Sequence, residues 1–189
     1  MISPDFLADP SLRLDAQYAR VGAVNQQIKI DGGTSILETI NPGDLNARQV
    51  AQNLVNAGFN GCWVIALGTN DTADVAVGSV LDRAGRVAAM MKVIGAAPVI
   101  WLTAKSLRTS GPYSNANMQL WNQALQQACA TYPNMRIFDW ASVVQDSWFG
   151  SDQIQYTSDG FAQRAHLIAD SLVHAFPAGQ PPSSSCTVT

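Results

Sequence analysis

The stretch Asn60-Gly61-Cys62-Trp63-Val64-Ile65-Ala66-Leu67-Gly68-Thr69-Asn70-Asp71 decides the fold. It opens on a turn pair, runs through six apolar residues without alternation, and stops at a glycine followed by two polar side chains. An unbroken apolar run of that length fits a strand covered on both faces, as in a parallel sheet sandwiched by helices. Two further runs repeat the pattern: Val99 to Thr103 after Ala97-Pro98, and Met135 to Trp140 after Pro133-Asn134. A weaker fourth strand is read at Gln27 to Ile30, ended by Asp31-Gly32-Gly33.

Helical spacing fills the intervals. Asn46 to Ala57 carries Val50, Leu54 and Val55 on one stripe. Asp74 to Ile94 reads as one long helix with Val77, Val80, Leu81, Ala84, Val87, Ala88 and Met91 at helical spacing and Gly95 as its stop. Asn115 to Ala130 and Phe161 to Phe176 follow the same rule, the latter closed by Pro177. Strands alternating with helices predict a flavodoxin-like, three-layer α/β/α fold with a parallel sheet. Residues 1–176 read as a single domain, and the Pro/Ser-rich segment 177–189 as a disordered tail.

Composition narrows the function. At 189 residues the chain is long enough for one proper core, burying roughly 70% of its unfolded surface. A net charge of -3 argues against nucleic-acid binding, which leaves a basic footprint. No run approaches the ~18 apolar residues of a membrane span, and no signal-peptide pattern is visible. Of the three cysteines, Cys62, Cys129 and Cys186, at most two can pair within the chain. Buried free thiols are the plainer reading, and a Cys62–Cys129 bridge is the alternative that would imply an oxidising compartment. Their spacing matches no metal motif, and no cofactor is expected.

In an open α/β sheet, ligands bind beyond the carboxyl ends of the strands. Gly68-Thr69-Asn70-Asp71 falls there, as do Asp31 to Ser35 and Thr103 to Ser106. Glycine lets the backbone approach a ligand closely, and an asparagine at that edge supplies the N–H donor of an oxyanion hole. The same residues also serve as a turn and a helix cap. Val64 to Asp71, taken with Asp152-x-x-Gln155-x-Thr157-x-x-Gly160, resembles the SGNH (GDSL-type) hydrolase family. The likeness spans about residues 12 to 175, with the blocks in the family's order.

The resemblance implies a serine esterase or acyl-hydrolase acting on ester or acetyl groups of small molecules or glycans. It assigns Asn70 and Gly33 to the oxyanion hole, with Gly32 as the fallback, and Asp152 to the acid of the triad. Gly68, Thr69, Asp71 and Tyr156 are the expected substrate-binding residues. Two departures fall on the chemistry. The family's nucleophile sits in a Gly-Asp-Ser motif after the first strand, and neither that strand nor that motif is found in Met1-Ile2-Ser3-Pro4-Asp5-Phe6-Leu7. The histidine position holds Gln155, whose amide does not accept a proton near neutral pH. His166 and His174 both lie on the last helix, well after the triad loop, and Ser3 is followed by proline with no strand before it.

The expectation is therefore a polypeptide whose catalytic strand lies ahead of Met1, with a gap in the sheet between 27–30 and 62–67. Without that strand it is an incomplete hydrolase that does not turn over esters. The alternative is a non-catalytic descendant that binds a carbohydrate or acyl ligand. Many members of the family are exported, which makes a secreted or cell-envelope location the expectation. Trp101, Trp121, Trp140 and Trp148 read as core rather than as a sugar platform, because each lies in an apolar pattern.

Overall fold

The computed structural model describes residues 7–189, so Ser3 lies outside the described residues. Four parallel strands form one sheet in the order β1-β2-β3-β4. They are β1 (Trp63–Ile65), β2 (Val99–Leu102), β3 (Met135–Phe138) and β4 (Thr187–Val188). Registers pair Trp63 with Val99, Val99 with Met135 and Ile137 with Thr187. The helices are α1 (Leu14–Arg20), α2 (Ala47–Asn56), α3 (Thr69–Ala76), α4 (Arg83–Ile94), α5 (Asn115–Thr131), α6 (Trp140–Val143) and α7 (Ser158–Ala175).

Alternation along each strand sorts its side chains to the two faces of the sheet. Val99, Trp101, Met135 and Ile137 pack against Val87 and Met91 of α4 and Trp121 and Leu125 of α5. Ile100, Leu102 and Phe138 pack on the other face against Ile168 of α7, with Leu14 and Tyr18 of α1 alongside. This is the three-layer α/β/α arrangement, and it explains why the strand runs are mainly apolar: most of their side chains are buried in one layer or the other, with Arg136 of β3 and Trp63 and Val64 of β1 half-buried. Trp101, Trp121 and Trp140 are fully buried, as the apolar pattern implied.

Most helix starts carry a cap. Asn46 and Gln49 form a reciprocal capping box at α2, and the hydroxyls of Ser114 and Thr157 accept from the first-turn N–H groups of α5 and α7.

Several expectations are corrected. Gln27 to Ile30 is not a strand: among the described residues no neighbouring strand lies beside it, so no ladder bond forms there. The long helix read over Asp74 to Ile94 is two helices, broken at Gly78, whose φ is 97°. Asp82 caps the second by accepting the N–H of Gly85, which leaves Val77 and Val80 exposed in the turn instead of on a buried stripe. The segment 177–189 is not a free tail. Its end forms β4 on β3, and Cys186 is joined to Cys129 of α5. Cys62 is free, so neither the all-thiol reading nor a Cys62–Cys129 bridge holds. Among the described residues, no helix is long and apolar enough to cross a membrane.

Candidate active-site groove

Among the described residues β1 bonds to β2 on one side only, and its other side faces a groove of about 720 Å3. The groove lies between residues 25–34 and residues 62–70, with helices of both layers contributing to its walls. At the carboxyl end of β1 its lining includes Gly33, Gly68, Thr69, Asn70, Gln155 and Tyr156. Three of the sequence blocks, far apart in the chain, are thus brought to one cleft.

Gly68 is where the backbone leaves the sheet. Its φ of 138° lies where side-chain-bearing residues are strained, and an added Cβ would stand 2.2 Å from Nε1 of Trp121. Only glycine lets β1 turn straight into α3 against that indole. Asn70 follows in the first turn of α3. Its Nδ2 donates to the Thr34 carbonyl at 3.1 Å, and its Oδ1 accepts from the Tyr113 hydroxyl at 3.3 Å. Asn70 therefore ties the Gly33-Thr34 turn to the end of β1. Gly33 adopts φ 79° and packs against Ile40, which leaves no room for a Cβ.

Asp71 lies beneath the cleft, not in its lining. It is fully buried, its Oδ1 accepting the Ile36 N–H at 2.9 Å and Nη1 of Arg86 at 2.8 Å. Burial pushes its carboxyl up to about 6, opposed by those two hydrogen bonds and the arginine charge. Arg86, buried on α4, also binds both carboxylate oxygens of Glu38, and its Nη2 donates to Ser79. Burial alone would raise Glu38, but the hydrogen bonds from Arg86 and Ser79 and the guanidinium charge bring it down to about 2. This ion cluster clamps the 34–40 loop to α3 and α4. A loop that carries an oxyanion-hole candidate is thereby held from below by charge rather than by a strand.

The acid position is occupied differently from the expectation. Asp152 is exposed, lies outside the groove lining, and its Oδ1 accepts the N–H groups of Ile154 and Gln155 at 2.9 and 2.8 Å. It shapes the loop, with Gln153 at φ 64° and Phe149 bridged to Tyr156. Gln155 is presented to the groove by this loop. Tyr156 accepts from Nε1 of Trp140 at 2.7 Å and stacks edge-on against Phe161.

His166 contacts Gln17 and Asp170 on the outside of α7, His174 contacts the Thr189 carbonyl, and neither lines the groove. Among the described residues no serine lines it either. No group of three or more His, Cys, Asp or Glu residues among them could hold a metal ion.

Sequence reading missed three residues of this region. Arg86 sits in an apolar helix face, where a lone charge signals a buried partner; Tyr113 and Arg164 carried no such signal.

No protein-family model and no curated protein matches the sequence. Among solved structures, the chain is similar to Est24, a carbohydrate acetylesterase from Sinorhizobium meliloti. The two are 16% identical with a TM-score of 0.66, over 88% of this chain and 86% of that one. At that identity the likeness is one of fold: this chain has the α/β/α architecture on which that esterase is built.

Proposed function

We propose that this chain is an SGNH-type ester- or acetyl-hydrolase domain that binds an ester of a small molecule or glycan at the carboxyl end of the groove without turning it over by itself. The observation that carries the reading is the convergence of Gly33, Asn70 and Gln155 on one cleft. The fold shared with a carbohydrate acetylesterase supports it. In this reading Asn70 and Gly33 stand where an oxyanion would be held, Thr69 and Tyr156 flank the acyl group, and Gly68 gives it access to the backbone.

Turnover would need a nucleophile with an adjacent base. The described groove lining offers Gln155 in place of a base and no serine. Binding with only residual catalysis is the consequence, since loss of a triad member leaves little beyond the oxyanion hole. The test is hydrolysis of a short-chain aryl ester together with calorimetric binding of an acetylated oligosaccharide against its deacetylated form. The expected result is preference for the acetylated form without turnover. A protein extended ahead of Met1 by a strand ending Gly-Asp-Ser, and carrying Gln155→His, should gain activity. Asn70→Ala in that protein should then lower kcat by about 100-fold or more. Robust hydrolysis by the unmodified chain, abolished by a serine-directed inhibitor, would overturn the reading.

The Cys129–Cys186 disulfide supports an exported location for the protein, because such bonds persist in oxidising compartments.

A further inference from the structure

We propose that Tyr113 is the positioning residue of Asn70: its hydroxyl fixes the plane of the Asn70 amide and keeps one N–H aimed at the acyl oxygen of a bound ester. The inference deepens the ester reading and rests on it.

Asn70 has two anchors of different chemistry. Thr34 offers a carbonyl, which can only accept, so the Asn70 nitrogen and not its oxygen faces Thr34. One hydrogen bond alone leaves an amide free to pivot about that bond. The Tyr113 hydroxyl removes the freedom by donating to Oδ1, at the other end of the same amide. With both ends held, one hydrogen of Nδ2 is committed to Thr34, and the other has no acceptor among the described residues. Asn70 lines the groove, so that second hydrogen is the one a ligand carbonyl can meet. A donor on the amide oxygen also draws electron density from the nitrogen, which strengthens the remaining N–H.

Tyr113 is itself braced. It lies in the segment 103–114 between β2 and α5, at the carboxyl edge of the sheet. The segment is rooted at Ala104, whose N–H and carbonyl both bond to the Asn122 amide of α5 at 2.8 Å. Buried Ser106 donates its hydroxyl to the Tyr113 carbonyl at 2.6 Å and closes the segment on itself. Its neighbour Leu107 donates its N–H to the Gln153 carbonyl at 2.9 Å, in the loop that presents Gln155. One segment thus reaches both Asn70 and the Gln155 loop, which stand on different elements. The Tyr113 ring packs against the core between the sheet and α4 and α5. Burial and the Asp74 charge hold its hydroxyl above the ordinary tyrosine range, so it remains a donor through neutral pH. Packing alone would be served equally by phenylalanine; the hydroxyl is the part this role requires.

The experiment compares the full chain with Tyr113→Phe, which keeps the ring and removes the hydroxyl. Side-chain 15N relaxation of Asn70, assigned by the loss of its signals in Asn70→Asp, should show an ordered amide in the parent. In Tyr113→Phe its order parameter should fall below about 0.6, the flexible range. Calorimetry should show about fivefold weaker binding of the acetylated oligosaccharide by the variant, with affinity for the deacetylated form unchanged. Ser106→Ala, which frees the Tyr113 backbone and leaves its hydroxyl in place, should move both readouts in the same direction by a smaller amount. An Asn70 amide that stays ordered in Tyr113→Phe overturns the proposal. So does an equal loss of affinity for both oligosaccharides, which would mark Tyr113 as structural only. A parent chain with no preference for the acetylated form overturns the ester reading, and the proposal with it. A failure seen only in the variant overturns the proposal and leaves the ester reading standing.

Discussion

The sheet is finished at one edge and open at the other. Beyond β3, the last residues of the chain add the short β4, and the Cys129–Cys186 bond pins them to α5. A two-residue edge strand presents little unpaired backbone, which is one way proteins protect a sheet margin. Beyond β1 the described residues provide no such cover but a groove, and the neighbouring 34–40 loop is held by Arg86 and its carboxylates. One edge is closed by a covalent bond and strand pairing; the other is bordered by an ion cluster and left accessible. A closed margin serves stability, whereas an accessible one with polar groups at its carboxyl end suits the binding role proposed for it.

The sharpest way to break this comparison is at the ion cluster. Arg86→Ala strands the buried Asp71 carboxylate and should cost about 3–5 kcal/mol. Urea unfolding measures the loss, and hydrogen exchange should show the 34–40 loop opening while β3 and β4 stay protected. Equal loss of protection at β4 would mean the two edges are not independent.

The closed edge comes next. Cys186→Ser should cost about 2–4 kcal/mol, since the bond closes a loop with a sequence separation of 57. Thermal melts should report the loss, with β4 exchange rising toward that of an open edge. If ester binding in the groove changes with it, the edges communicate through the sheet.

The smallest effect is on pH dependence. Glu38 is held near 2 in the folded protein against an ordinary 4.5. A carboxyl with a lowered folded value contributes stability above its unfolded value, and that contribution is lost as pH falls from about 4.5 toward 2. Asp71 has the opposite sign: its value near 6 gives a contribution that fades as pH rises through 6. Unfolding followed across pH 2 to 7 should therefore show Glu38→Gln less stable than the parent near neutrality, with the two converging toward pH 2 so that the variant's acid limb is shallower. An unchanged acid limb in that variant would mean that the solvent reaching Glu38 screens it from Arg86.

Much of the fold is visible in the chain because burial on two faces writes itself into consecutive residues. The runs at 62–67, 99–103 and 135–140 contain the strands Trp63–Ile65, Val99–Leu102 and Met135–Phe138. The helices at 47–56, 115–131 and 158–175 follow their caps and stripes. Gln27 to Ile30 misled because alternation around one lysine looks like a strand whether or not a neighbour exists to pair with it. Gly78 was passed over because Val77 and Val80 keep helical spacing across the break, and exposure is not visible in spacing.

Of the site, the residues that end strands were legible: Gly68 and Asn70 follow an apolar run, and Gln155 precedes a capped helix. Asp71 and Asp152 looked like site carboxylates, but one is buried against Arg86 and the other ties up loop N–H groups.

What the sequence determined by itself is everything set by neighbours along the chain: the apolar runs, the helical stripes, the caps and the turn at Gly68. These depend on side-chain periodicity and on backbone freedom at single residues, both local properties. What only the tertiary structure decided is every pairing between distant residues. Cys129 chose Cys186 over Cys62, Arg86 gathered Asp71 and Glu38, and the last residues completed one edge of the sheet while β1 was left open at the other. Such choices turn on which groups meet after the layers pack, a matter of distances in space that spacing along the chain does not encode.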